Sequence, residues 1–96
     1  MLEHGKVVFV DNVRQGVSAK TGEVWQSLDF VIEVDGRYPR KVKLNLYGAE
    51  KIANAMISVG MILDVEFEIE AHEYKGSWYN ELRVWNIMIQ GKSLIR

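Results

Sequence analysis

The chain contains no cysteine and only one proline, Pro39, in 96 residues. Without thiols there is neither a disulfide framework nor a thiolate metal site, and nothing requires an oxidising compartment. No apolar run approaches the ~18 residues of a membrane-spanning helix, and the opening Met1-Leu2-Glu3-His4-Gly5-Lys6 lacks a signal-peptide core. A soluble cytoplasmic protein with no membrane contact is expected. Histidine is scarce too: His4 and His72 have no partner motif such as HExxH, so zinc and acid–base roles are not expected. Gly16 and Gly22 are not followed by the lysine-serine or lysine-threonine of a phosphate-cradling loop, and no nucleophile motif appears. The sequence thus predicts a non-enzyme with no cofactor and no metal.

A strong excess of one charge sign is also missing. The formal net charge of −1 does not by itself mark a nucleic-acid binder. Distribution says more than the sum. From Gly36 to Gly48 the chain carries Arg37, Arg40, Lys41 and Lys43 with no acid, while Asp64, Glu66, Glu68, Glu70 and Glu73 make a later stretch acidic. The molecule should be electrostatically two-sided. The acids alternate along one strand face about 7 Å apart, a spacing that does not converge on one cation, so they read as a solvated face.

What is present is strand signal, and with 48% apolar residues there is enough of it to build one core in one domain. Lys6 to Val10 is a β-branched and aromatic run followed by Asp11-Asn12 and Val13, a first strand with a bulge. Gly16 to Glu23 is small and polar and reads as a loop. Trp25 to Val34 is the second strand, with Leu28, Phe30, Ile32 and Val34 on one face. Asp35-Gly36 supplies a tight turn onto the third strand, Arg40 to Tyr47. There Val42, Leu44 and Leu46 alternate with outward Lys41, Lys43, Asn45 and Tyr47, and Pro39 stands at the entry. Ala49 to Ser58 is the one helical candidate, with Ile52, Ala55, Met56 and Val59 on its apolar face and Gly60 as a stop. Leu63, Val65, Phe67, Ile69 and Ala71 alternate inward along the fourth strand. A hairpin at Lys75-Gly76 leads to the fifth, roughly Trp78 to Ile89. Residues 1–91 form the domain and 92–96 a short tail. Three strands, one short helix and two strands match the all-β OB-fold, a five-stranded Greek-key barrel with a helix between strands three and four.

Two stretches carry a family pattern. Arg40-Lys41-Val42-Lys43-Leu44-Asn45-Leu46-Tyr47-Gly48, a helix, and then Val59 to Glu70 resemble the corresponding part of bacterial single-stranded DNA-binding proteins. Tyr74-Lys75-Gly76-Ser77-Trp78-Tyr79-Asn80-Glu81-Leu82-Arg83-Val84-Trp85 looks like a shortened form of that family's hairpin and final strand. A closer similarity is to a family of short proteins of unknown function with the same fold, carried by Trp25, by Tyr38-Pro39-Arg40 and by Tyr74-Lys75-Gly76-Ser77-Trp78-Tyr79. This second resemblance covers nearly the whole chain. The sequence has no acidic tail of the kind that recruits partner proteins in the bacterial family, which points to an auxiliary role. The resemblance implies that Tyr38, Tyr47 and Tyr74 stand near base-stacking positions.

Sequence-tolerant capture of a single strand needs flat side chains and cations along the phosphate track. Trp25, Tyr38, Tyr47, Tyr74, Trp78 and Tyr79 supply the first. Arg40, Lys41, Lys43, Lys75 and Arg83 supply the second, with Asn45 beside them on the third strand. These residues concentrate on the second and third strands and the hairpin, the elements that bind ligands in OB-folds. The expected partner is single-stranded nucleic acid, DNA before RNA. The competing reading is a protein-interaction or structural subunit in an oligomeric assembly, a homodimer or homotetramer. In that case Trp25 and Tyr79 fill cross-strand pairs, Arg40, Lys41 and Lys43 discourage edge aggregation, and Trp85 belongs to the core or a subunit interface.

Overall fold

Leu28, Phe30, Ile32 and Val34 are all buried in the computed structural model, which describes residues 1–95. The elements run β1 (Leu2–Val10), β2 (Arg14–Val17), β3 (Val24–Val34), β4 (Arg40–Tyr47), α1 (Ala49–Ala55), β5 (Ile62–Tyr74), β6 (Ser77–Ile89) and β7 (Lys92–Ser93). Hydrogen-bonded neighbours follow the order β1, β5, β6, β4, β3, and β3 returns to β1, so the sheet closes into the expected OB barrel. β1 and β2 together are the first strand of that barrel. β1 pairs the far half of β3, Phe30 to Glu33, and β2 pairs its near half, Val24 to Ser27. The break falls at Asp11, Asn12 and Val13, and a bulge lies between Val7 and Phe9.

Several local expectations shift. Gly16 and Val17 belong to β2 rather than to a loop. Gly16 lies opposite Trp25, whose indole occupies the space a side chain would take, so this glycine marks a close approach and not a turn. The helix ends at Ala55, short of Ser58, because Met56 adopts a left-handed φ of 48°. Ile52 and Ala55 reach the core while Met56 and Val59 stay exposed. Val34 pairs with Arg40, so residues 35–39 form a wider loop in place of a tight Asp35-Gly36 turn. The tight turn is at Lys75-Gly76, where φ of 50° and 81° give a two-residue connection of the primed type. Gln90-Gly91, at 51° and 79°, repeats it and folds Lys92 and Ser93 back onto Ile89 and Met88. Within the segment read as a tail, Ile95 is buried; Arg96 lies outside the described residues.

β5 and β6 outrun the barrel. Leu63, Val65 and Phe67 are buried, but Ile69 and Ala71, expected inward, are exposed on an arm that continues to the Tyr74–Ser77 pair. Glu66 pairs with Asn86 and Phe67 with Val84, which leaves Trp85 as the extra residue of a bulge. The bulge turns Trp85 outward, out of the core. Among the described residues no helix is long and apolar enough to cross a membrane.

Gly5 shows how tightly β1 is threaded between its two neighbours. It pairs with Leu63 of β5, and a Cβ there would lie 2.6 Å from the Glu33 carbonyl oxygen of β3. Gly5→Ala must therefore push β1 away from β3 and should cost about 1–3 kcal/mol in denaturant unfolding. Gly36→Ala meets nothing within 4 Å and should stay within about 0.5 kcal/mol of the parent.

Candidate nucleic-acid interface

Strand alternation puts Trp25, Ser27, Asp29, Val31 and Glu33 of β3 on the outside of the barrel. Register then builds rows across the sheet: Arg14, Ser27 and Tyr47 in one, Asp29 and Asn45 in the next, then Val31 beside Lys43 and Glu33 beside Lys41. Asp29 organises the centre. Its carboxylate accepts from Asn45 Nδ2 at 2.9 Å and from Arg14 Nη2 at 3.1 Å. Asn45 Nδ2 also donates to Ser27 Oγ at 2.7 Å. An ionised carboxylate only accepts, so the amide orientation is fixed and Asn45 Oδ1 faces away. That oxygen is buried without a partner among the described residues. Ser27 and Asn45 are 6% and 4% exposed although they stand on the outer face, because something overhangs them.

The overhang is the arm. β4 and β6 share a single parallel pair, Asn45 with Arg83, and diverge beyond it. Arg83 lies 5.5 Å over the Tyr47 ring, a cation–π distance. Tyr47 in turn stacks with Trp25, ring centroids 6.4 Å apart and planes within 20°. Glu81 accepts from Arg83 Nη2 and from His72 Nε2, both at 3.2 Å, the latter when that nitrogen carries a proton. The result is a trough. A cavity of about 230 Å³ beneath Trp25, Tyr47 and Arg83 shares Arg14, Asn45 and Glu81 with a second of about 270 Å³ that reaches Lys43, His72 and Tyr79.

Of the residues singled out in the sequence, Trp25, Lys43, Asn45, Tyr47, Tyr79 and Arg83 line this trough. Lys41 continues the same face of β4 beside Glu33. Asn45 is on the expected face, but it is buried and its amide nitrogen is committed to Ser27 and Asp29. The others lie elsewhere. Arg40 turns to the far side and binds Glu3 of β1 at 3.1 Å. Tyr38 is in the 35–39 loop under Arg37, about 23 Å of strand away from Tyr47. Tyr74 and Lys75 sit together at the tip of the arm, the ammonium 5.3 Å from the ring centre. Trp78, adjacent to Tyr79 in a strand, faces the opposite side of the ladder with Ile69 and Ala71. Arg14, Ser27, Asp29 and Glu81 complete the trough and were not singled out. Asp29 alone gave a signal, as an acid in the middle of an apolar strand.

Gly16 positions Trp25. A Cβ at residue 16 would lie 2.7 Å from indole Cζ2, so the ring rests directly on the β2 backbone. Gly16→Ala should dislodge the indole from its stack with Tyr47, visible as altered near-ultraviolet circular dichroism and tryptophan emission with the far-ultraviolet spectrum retained. Spectra identical to the parent would show that the ring is not held there.

Comparison with solved structures finds the same architecture in the mitochondrial single-stranded DNA-binding protein Rim1 of S. cerevisiae. The match has a TM-score of 0.66 over 95% of this chain and 94% of that one, at 15% identity. At that identity the likeness shows the fold. No curated protein sequence matches the chain. The family described as a domain of unknown function, DUF3127, matches residues 3–88, and with nearly its whole length so covered the chain belongs to that family.

Proposed function

We propose that this protein is a non-catalytic module that binds single-stranded nucleic acid, DNA in preference, in the trough between the outer face of β3 and β4 and the arm. The observation that carries the reading is the Trp25–Tyr47 pair, ring planes within 20°, capped by Arg83 and roofing buried polar groups. Stacking is worth ~1–3 kcal/mol per base and is blind to sequence, because every base has a π-face. Lys41 and Lys43 make no ion pair among the described residues and extend from the trough along β4, where they meet the phosphates. Tyr79 provides a further platform on the arm, and Tyr74 and Lys75 at the tip and Tyr38 in the loop before β4 serve longer strands. The fold likeness to Rim1, named as a single-stranded DNA-binding protein, supports the choice of DNA. Self-association is a compatible second property, favoured by Trp85 and Phe9, which are 48% and 52% exposed away from the trough.

Oligo(dT) should quench the emission of the three tryptophans, with affinity falling with salt at a log–log slope of about −0.7 per phosphate neutralised. Tyr47→Ala should weaken binding by about 1–3 kcal/mol with the fold retained, whereas Trp78→Ala, on the far side of the arm, should change it little. Replacing Lys41 and Lys43 together with alanine should flatten the slope by roughly 1.4. Unchanged affinity in Tyr47→Ala would remove this assignment.

A further inference from the structure

The two trough arginines are each tied to a carboxylate. Arg14 Nη2 meets Asp29 at 3.1 Å, and Arg83 Nη2 meets Glu81 at 3.2 Å. Asp29 is only 18% exposed at its side chain, so its charge is little screened by solvent and stays close to the guanidinium. Such pairing cancels net charge without using up the donors. A guanidinium has five N–H groups, and among the described residues Arg14 engages acceptors only through Nη2, to Asp29 and, at a long 3.4 Å, to Ser27. Among the described residues its Nη1 and Nε have no protein acceptor. A phosphate approaching this pair meets the nearby Asp29 carboxylate, whereas a neutral carbonyl or ring nitrogen meets directed donors without that repulsion.

We propose that Arg14, neutralised by Asp29, reads the edge of a base held in the trough, and that the protein binds guanine-containing single strands ahead of adenine-containing ones. This deepens the function proposed above and rests on it. Guanine presents two adjacent acceptors, O6 and N7, to an arginine fork, while adenine places an amino donor where guanine has O6. Guanine also carries N1 and N2 donors. Asn45, a residue only 4% exposed, and Glu81 line the same cavity, and Asn45 Oδ1 is a buried acceptor with no partner among the described residues. Arg83, paired with Asn45 across β4 and β6, also has a buried Nε with no partner among the described residues. Donors opposite acceptors, and acceptors opposite donors, describe guanine better than adenine.

The test measures quenching of the intact protein by oligo(dT) strands of one length that differ at one central position, guanine, adenine or 7-deazaguanine. The guanine strand should bind about tenfold tighter than the adenine strand. Loss of N7 in the 7-deazaguanine strand should remove most of that advantage, and this arm needs no variant protein. Arg14→Lys, which keeps the charge and loses the fork, should bring the guanine-to-adenine ratio within about twofold. Equal affinity for guanine and adenine strands would overturn base reading while single-strand binding stands. Failure to bind any strand would overturn both.

Discussion

Closure of the barrel between β4 and β6 rests on one parallel pair, Asn45 with Arg83. Parallel neighbours that share a single pair diverge on either side of it, so β6 leaves the sheet and carries β5 along as a two-stranded arm. The arm leans over the outer face of β3 and β4, and surface positions become a floor. Ser27 and Asn45 are buried there, beneath the arm and beside Arg14, Trp25 and Tyr47. Burying a polar group costs free energy unless it is hydrogen-bonded. Asp29 meets that condition for Asn45 Nδ2 and for the Arg14 guanidinium, and it fixes which way the Asn45 amide points. Remove the carboxylate and the floor loses its order, the Arg14 wall its anchor, and the trough its shape.

The same constraint sorts the charges. An overall charge of −1 gives no long-range attraction for a polyanion, so affinity must come from short-range terms. Stacking on Trp25, Tyr47 and Tyr79 is such a term, and it acts where the carboxylates Asp29 and Glu81 have neutralised the arginines around it. Lys41 and Lys43 make no ion pair among the described residues; Lys43 lines the trough and Lys41 continues along β4 beside Glu33. Bases inward and phosphates along the rim is the polarity this arrangement supports. The apolar residues exposed elsewhere, Trp85 at its bulge and Ile69 with Trp78 on the reverse of the arm, belong to other surfaces.

Period-two alternation made the barrel legible in the sequence: Leu28 to Val34, Val42 to Leu46 and Leu63 to Phe67 point where their spacing says. Alternation carries no information on where a strand leaves the barrel, so Ile69 and Ala71 read as core although they lie on the arm. Glycines misled in both directions. Gly16 looks like a loop residue until Trp25 is seen resting on it, and Gly91 looks like the end of the domain although it turns β7 back onto β6. At the site, the aromatic and basic residues of β3 and β4 were legible because neighbouring strands share a face. Arg40 and Trp78 were not, since one residue of register moves a side chain to the opposite side. Arg14, Ser27 and Glu81 gave no sign at all; their role exists only once three distant segments meet.

If the groove under the arm is the surface that meets nucleic acid, amide chemical-shift mapping of the labelled protein during titration with a short oligo(dT) will show it residue by residue. Perturbations should concentrate at residues 14–16, 25–29, 43–47 and 79–83. Perturbations centred on Ile69, Trp78 and Trp85 instead, or an unchanged spectrum at saturating oligonucleotide, would place the binding surface elsewhere or remove it.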